Sequence, residues 1–202
     1  MAAIVIPDGA ITAFKDAKAL EKWYKTNHAK ADELWLRVYK RGSGVPTVAI
    51  EDALDIALCW GWIDAVRKSL DDESYVQRYT PRKKTSIWSV RNQENVDRLI
   101  KAGRMQPSGQ AEIDRAKGDG RWDKAYEVGD KFATPPDLLA AIEAMPKALK
   151  MFQTLSSQNR FALAFRVHNM KTEAGRKKKI GDFVEMLKRG ETIHPNGKGR
   201  KP

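Results

Sequence analysis

The 202-residue sequence contains a single cysteine, Cys59. One thiol excludes an internal disulfide framework and any zinc site built on several cysteines, and it suits a reducing compartment. Histidine is scarce as well. His28, His168 and His194 stand far apart and show no metal-ligand spacing, so no metal and no cofactor is implied. No apolar run approaches the roughly 18–20 residues that cross a bilayer. The opening MAAIVIPDGA has neither the basic n-region nor the small-residue cleavage site of an export signal. These absences lead to the expectation of a soluble, cytoplasmic protein. Acidic residues are outnumbered too, with 26 Asp and Glu against 37 Lys and Arg for a net charge of +11.

The positive excess is uneven. Residues 1–60 hold 8 basic and 8 acidic side chains, residues 61–130 hold 14 and 12, and residues 131–202 hold 15 and 6. A basic last third raises the expectation of an anionic partner, although charge alone specifies none.

A hydrophobic share of 42% is enough for a core, and its periodicity gives the elements. Ala17, Leu20, Trp23 and Tyr24 recur at helical spacing behind Asp16, a good N-cap. In ELWLRVYK, Leu34, Leu36 and Val38 alternate with Trp35, Arg37 and Tyr39, which predicts a strand. Residues 50–60 are apolar nearly all round apart from Glu51, Asp52 and Asp55, the pattern of a buried helix. Gly61 suits its end. WIDAVRKSL and YVQRYT, separated by DDES, read as an antiparallel hairpin. A further helix carries Trp88, Asn92, Val96, Leu99 and Ile100, and another opens at Pro107. KFATPPD at 131–137 is the best linker, and beyond it four helices are expected between residues 138 and 189. The fold class is therefore α+β: a small antiparallel sheet of about three strands packed with helices, followed by an all-helical C-terminal region. The expected division is 1–130, 131–190 and a disordered basic tail at 191–202.

Several segments in order resemble the YdeI/OmpD-associated family of bacteriocin-protection proteins. They are ALCWGWID, YTPRKKTSIWS, Asn92, RLIKAGRM and GRWDKAY, then PKALKMFQTLSSQNRFAL, MKTEAGRKKKI and MLKRG, the last three resembling the family's OmdA-type helical domain. The likeness runs from about residue 14 to 190. Two departures are Trp60, where members often carry phenylalanine, and Ala174-Gly175-Arg176, where Glu-Thr-Arg is common. The resemblance implies a bacterial cytoplasmic protein linked to protection against bacteriocins or cationic antimicrobial peptides. It implies no reaction, cofactor or catalytic residue. A chain of net charge +11 repels a cationic peptide at long range, which argues against direct sequestration.

Residue by residue, the sequence leans away from an enzyme. Cys59 sits at the C-terminal end of its helix, where the dipole opposes a thiolate, so it reads as core. Asp64 enters a strand among aromatic residues and needs a partner; Arg78, Arg82 and Arg104 are candidates. The block 79–92 is the best ligand site. Arg82 with its neighbouring lysines, Ser86 and Ser89 at a helix start, Trp88 as a wall and Asn92 one turn on could hold a small anionic or polar ligand. Two alternatives stand beside it. One is polyanion binding, nucleic acid or acidic protein, through Arg176, Lys177, Lys178 and Lys179. The other is an enzyme using Asp64 as acid or base.

Overall fold

The computed structural model describes residues 5–7, 9–128 and 132–196. It divides into two compact units, Met1–Ala125 and Tyr126–Pro202, and each has its own core.

The N-terminal unit is a four-stranded mixed sheet with helices. Its strands are β1 (Ile11–Ala13), β2 (Leu34–Tyr39), β3 (Trp62–Ser69) and β4 (Ser74–Pro81), in the order β1-β2-β4-β3. This corrects the expectation of about three antiparallel strands. The fourth strand, β1, runs parallel to β2, with Ile11 opposite Trp35. Three residues are too few to show an alternation, and a parallel partner needs a crossover rather than a turn. That crossover is α1 (Ala17–Asn27), capped by Asp16, whose carboxylate accepts from the Ala19 amide at 2.8 Å.

Alternation in β2 sends Leu34, Leu36 and Val38 to one face, where they meet Tyr79, Gln77 and Tyr75 of β4. Against this face pack Leu20 and Tyr24 of α1 and Ala53, Ile56 and Ala57 of α2 (Ile50–Cys59). A second cluster joins Leu58 and Cys59 to Trp88, to Val96 and Leu99 of α3 (Val90–Lys101), and to Ile113 and Ala116 of α4 (Pro107–Gly118). Where α2 ends, Gly61 turns with φ +78°, and a Cβ there would stand 2.8 Å from the Ser108 carbonyl oxygen. Glycine is required on both counts.

The C-terminal unit contains α5 (Pro136–Glu143), α6 (Pro146–Gln153), α7 (Ser157–His168) and α8 (Glu173–Lys188). Leu138, Ile142, Phe152, Leu163, Val167, Phe183 and Leu187 converge in its core. It is not helical throughout, which corrects the second part of the expected fold class. Residues 191–196, expected to belong to a tail without structure, are fastened to the helices. Asn159 of α7, 1% exposed, accepts from the His194 amide at 2.9 Å and donates to the His194 carbonyl at 3.1 Å. Asn196 donates to the Thr154 carbonyl at 2.9 Å and accepts from the Ser156 amide at 2.8 Å. Residues 197–202 and the expected boundary at 130/131 lie outside the described residues.

Candidate functional site

Helix α2 buries six of its ten residues, Asp55 among them at 8% exposure. A carboxylate in that setting requires pairing. One guanidinium nitrogen of Arg98, on α3, donates to both Asp55 oxygens at 2.7 and 2.9 Å. Arg104 stands 3.8 Å away. Beside this cross-link a cavity of about 430 Å³ opens, lined by α2, α3 and the β3–β4 hairpin.

The hairpin wall is shaped by a register slip in β3 between Asp64 and Arg67. Such a bulge re-aims side chains at a sheet edge. Gln77 holds it in place: its amide nitrogen donates to the Val66 carbonyl at 3.2 Å, and its amide oxygen accepts from Arg67 Nε at 3.0 Å. Arg67 is further steadied over the Tyr75 ring at 4.7 Å. Asp64, just before the bulge, lies directly opposite Tyr79.

These two residues are the chemically unusual members of the cavity. Asp64 reaches solvent at the mouth, yet the surrounding walls withhold enough water to push its carboxyl above the usual range. Arg82 and Arg67 pull it back only in part. Tyr79 is 1% exposed, and its buried hydroxyl has no hydrogen-bond partner among the described residues. Burial raises its ionisation, and the negative charges of Asp64 and Glu51 raise it further. The hydroxyl therefore lies within the field of the two carboxylates that share its cavity.

The other expected ligand residues are distributed differently. Arg78 pairs with Glu33 at 2.6 Å and lies over Trp35, so it is not Asp64's partner. Arg104 serves Asp55. Arg82 is 6% exposed, and its guanidinium lies 3.5 Å from the centroid of the Trp88 ring. Trp88 is core, packed against Trp122 at 4.9 Å. Ser86 accepts from the Lys83 amide at 3.0 Å and closes a local turn. Ser89 caps α3 by accepting from the Asn92 amide at 3.2 Å. Asn92 is half-buried on the first turn of that helix. The structure thus brings Asp64 to a cavity and sets the Arg82–Trp88 pair into packing.

The basic run of α8 is largely paired within its own unit. Arg176 binds Asp137 through two bonds at 2.6 and 2.8 Å and also donates to the Val167 carbonyl. Lys177 pairs with Glu173 at 3.0 Å and Lys179 approaches Asp182 at 3.9 Å. Lys178 is exposed. Cys59 is core, its thiol pushed up to about 11 chiefly by burial, which leaves no thiolate at neutral pH.

Residues 12–112, half of the chain, match the family described as a domain of unknown function, DUF8412. The chain belongs to the DUF8412 family. Residues 131–190 match a second family, described as Bacteriocin-protection, YdeI or OmpD-Associated. The resemblance expected over residues 14–190 is therefore carried by the C-terminal part, and the N-terminal part belongs to DUF8412. No curated protein and no solved structure matches the chain. Every residue lining the cavity falls inside the DUF8412 segment. Among the described residues no helix is long and apolar enough to cross a membrane.

Of the residues singled out in the sequence, Asp64 alone lines this cavity; Glu51, Asp55, Tyr79, Arg91, Asn95 and Arg98 line it as well, and the sequence pattern did not single them out. One signal was available for α3: Arg91, Asn95 and Arg98 lie at i, i+4 and i+7 beside the buried Val96 and Leu99, so they share a face. Asp55 within an otherwise buried helix was a second signal. Nothing local marks Tyr79, whose role depends on its register with Asp64.

Proposed function

We propose that this protein is a non-catalytic binding protein whose N-terminal unit holds a small polar ligand in the cavity bounded by α2, α3 and the β3–β4 hairpin. The observation that carries this reading is the lining of the cavity, which joins the exposed carboxylates of Glu51 and Asp64 to the cations Arg67 and Arg91. The volume, about 430 Å³, suits a metabolite-sized molecule. A role in protection against bacteriocins is suggested by the C-terminal family description, and placing that role in the cytoplasm and in stress protection is our extension of it. The polyanion alternative receives less support, because Arg176, Lys177 and Lys179 already have acidic neighbours.

The test is a thermal-shift screen of the full chain against small polar molecules: amino acids, amines, organic acids, sugars and nucleotides. A ligand that prefers the native state raises Tm, by an amount that keeps growing with the logarithm of its concentration over Kd. The hit should lose its effect in Asp64→Asn and Arg91→Gln. A hit that raises Tm equally in the wild type and both variants binds elsewhere and removes this cavity as the site.

A further inference from the structure

In the C-terminal unit a cavity of about 510 Å³ opens at the start of α7. Its walls include the rings of Phe132 and Phe161, 5.3 Å apart and edge to face, with Arg160 beside them. None of its described lining residues is acidic, and its one large aliphatic side chain, Leu155, is 6% exposed. The rings continue beyond the cavity. Phe165 stacks on Phe161 at 5.2 Å, and His168 meets Phe132 at 5.5 Å. The three phenylalanines are half-buried and stand apart from the cluster that forms the core of the unit. Phe161, Phe165 and His168 lie at i, i+4 and i+7, so they form one stripe of α7. Arg160 precedes Phe161 and Arg166 follows Phe165, each turned about 100° from its ring in opposite senses. A cation therefore flanks the stripe on either side.

The charge of the unit is distributed to match. Of the six acidic residues between 132 and 196, five are paired: Asp137 with Arg176, and the others with cations on or just after α8. Helices α6 and α7 carry Lys147, Lys150, Arg160 and Arg166 and no acidic residue. None of these four cations has an acidic partner among the described residues. Arg160 donates to the Gln153 carbonyl at 2.9 Å and lies over Phe152 at 5.3 Å, contacts that hold it in place without neutralising it. A suitable partner offers flat π faces and repeated negative charge. Aromatic rings stack on any base, and neighbouring cations follow the phosphates.

We infer that this face of the C-terminal unit binds single-stranded nucleic acid, with bases against the Phe132, Phe161 and Phe165 rings and phosphates on Arg160 and Arg166. It uses α7 rather than the paired cations of α8, and it stands independently of the N-terminal cleft. The probes are fluorescein-labelled DNA and RNA strands of one mixed sequence without self-complementarity, and the DNA strand annealed to its complement. Each is titrated with the full chain and read by fluorescence anisotropy. At least one strand should bind at least about tenfold more tightly than the duplex, whose base faces are closed; the tighter of the two identifies the source. Phe161→Leu with Phe165→Leu keeps apolar bulk and removes the π faces. It should weaken the strand at least about tenfold and leave duplex binding unchanged. Arg160→Gln with Arg166→Gln, a surface change, should reduce the slope of log K against log salt by about 1.4, at about 0.7 for each phosphate contact on a single strand. The inference is overturned if neither strand binds, if the duplex binds as tightly, or if the salt slope is unmoved by the arginine pair. Strand affinity unmoved in a leucine variant that melts like the wild type overturns it as well. AMP competing as tightly as the strand would make the cavity a free-nucleotide site instead. Equal competition by a glutamate–tyrosine copolymer would make the partner an acidic protein.

Discussion

A polar atom sealed inside a protein without a partner is destabilising, which makes Tyr79 informative before any ligand is found. Its hydroxyl costs about 1–3 kcal/mol as it stands. Tyr79→Phe in the ligand-free protein should therefore leave stability unchanged or raise it by up to about 1–2 kcal/mol. Urea unfolding measures this, and a clear loss would show that the hydroxyl is already satisfied. Asp64 makes a second, pH-dependent case. Its folded pKa is raised by burial, so the protonated form is the one the fold favours. Below the ordinary carboxylate pKa the group imposes no penalty. The penalty grows as pH rises through the raised value and is complete above it. Asp64→Asn should match the wild type in acid and be the more stable protein at neutral pH. Urea midpoints for both proteins across that range decide it, and equal midpoints at neutral pH would exclude the desolvated carboxylate.

At the scale of elements, two local locks set the geometry that the side chains use. Helix α4 approaches the end of α2 so closely that a Cβ on Gly109 would collide with the Cys59 carbonyl oxygen and stand 2.6 Å from Met105 Sδ. Gln106 and Ser108 also donate to the Cys59 and Trp60 carbonyls. Gly109→Ala should therefore cost at least about 1–3 kcal/mol, the range for overpacking, since the nearest atom is rigid backbone; differential scanning calorimetry reads it directly. Asn159 is the corresponding lock of the C-terminal unit. Asn159→Ala leaves the His194 amide without its partner, while the His194 carbonyl keeps the Thr192 hydroxyl at 2.7 Å, and should cost about 1–3 kcal/mol. Amide exchange at His194 should accelerate relative to that at core positions such as Leu163. Unchanged exchange there would mean that the segment 191–196 is held by other contacts.

The elements themselves were legible where a period repeats. Leu34, Leu36 and Val38 announced β2, the apolar girth of 50–59 announced α2, and DDES announced the hairpin. Strand β1 was not legible, because three residues carry no period and its partner lies beyond a helix. The site was legible only at Asp64. Its other members arrive from α2, α3 and β4 through register and helix packing, and a linear pattern does not encode either. The Arg82–Trp88 pair misled for a related reason: a cation beside an aromatic reads alike whether they flank a ligand or stack on each other, as here.

At the scale of the whole molecule, the division into two units with separate cores has a built-in spectroscopic reporter. All six tryptophans, at positions 23, 35, 60, 62, 88 and 122, belong to the N-terminal unit, so tryptophan fluorescence follows that unit alone. Helix dominates the regular structure of the C-terminal unit, which has no tryptophan. A compact unit with its own core can unfold as its own cooperative transition. Leu163, 1% exposed at the centre of the second core, is the place to separate the two. Leu163→Ala should cost about 2–5 kcal/mol through lost burial and the cavity left behind. In a unit of this size that is a large part of the total stability. Thermal melts should then show the helical circular-dichroism signal losing part of its amplitude at a much lower temperature. The tryptophan transition should keep its midpoint within a few degrees. The complementary lesion, Leu99→Ala in the N-terminal unit, should move the fluorescence transition and leave part of the helical signal at its original temperature. If either substitution moves both signals together by the same amount, the two cores unfold as one cooperative system, and ligand binding in the N-terminal cleft would then stabilise the C-terminal helices to the same extent.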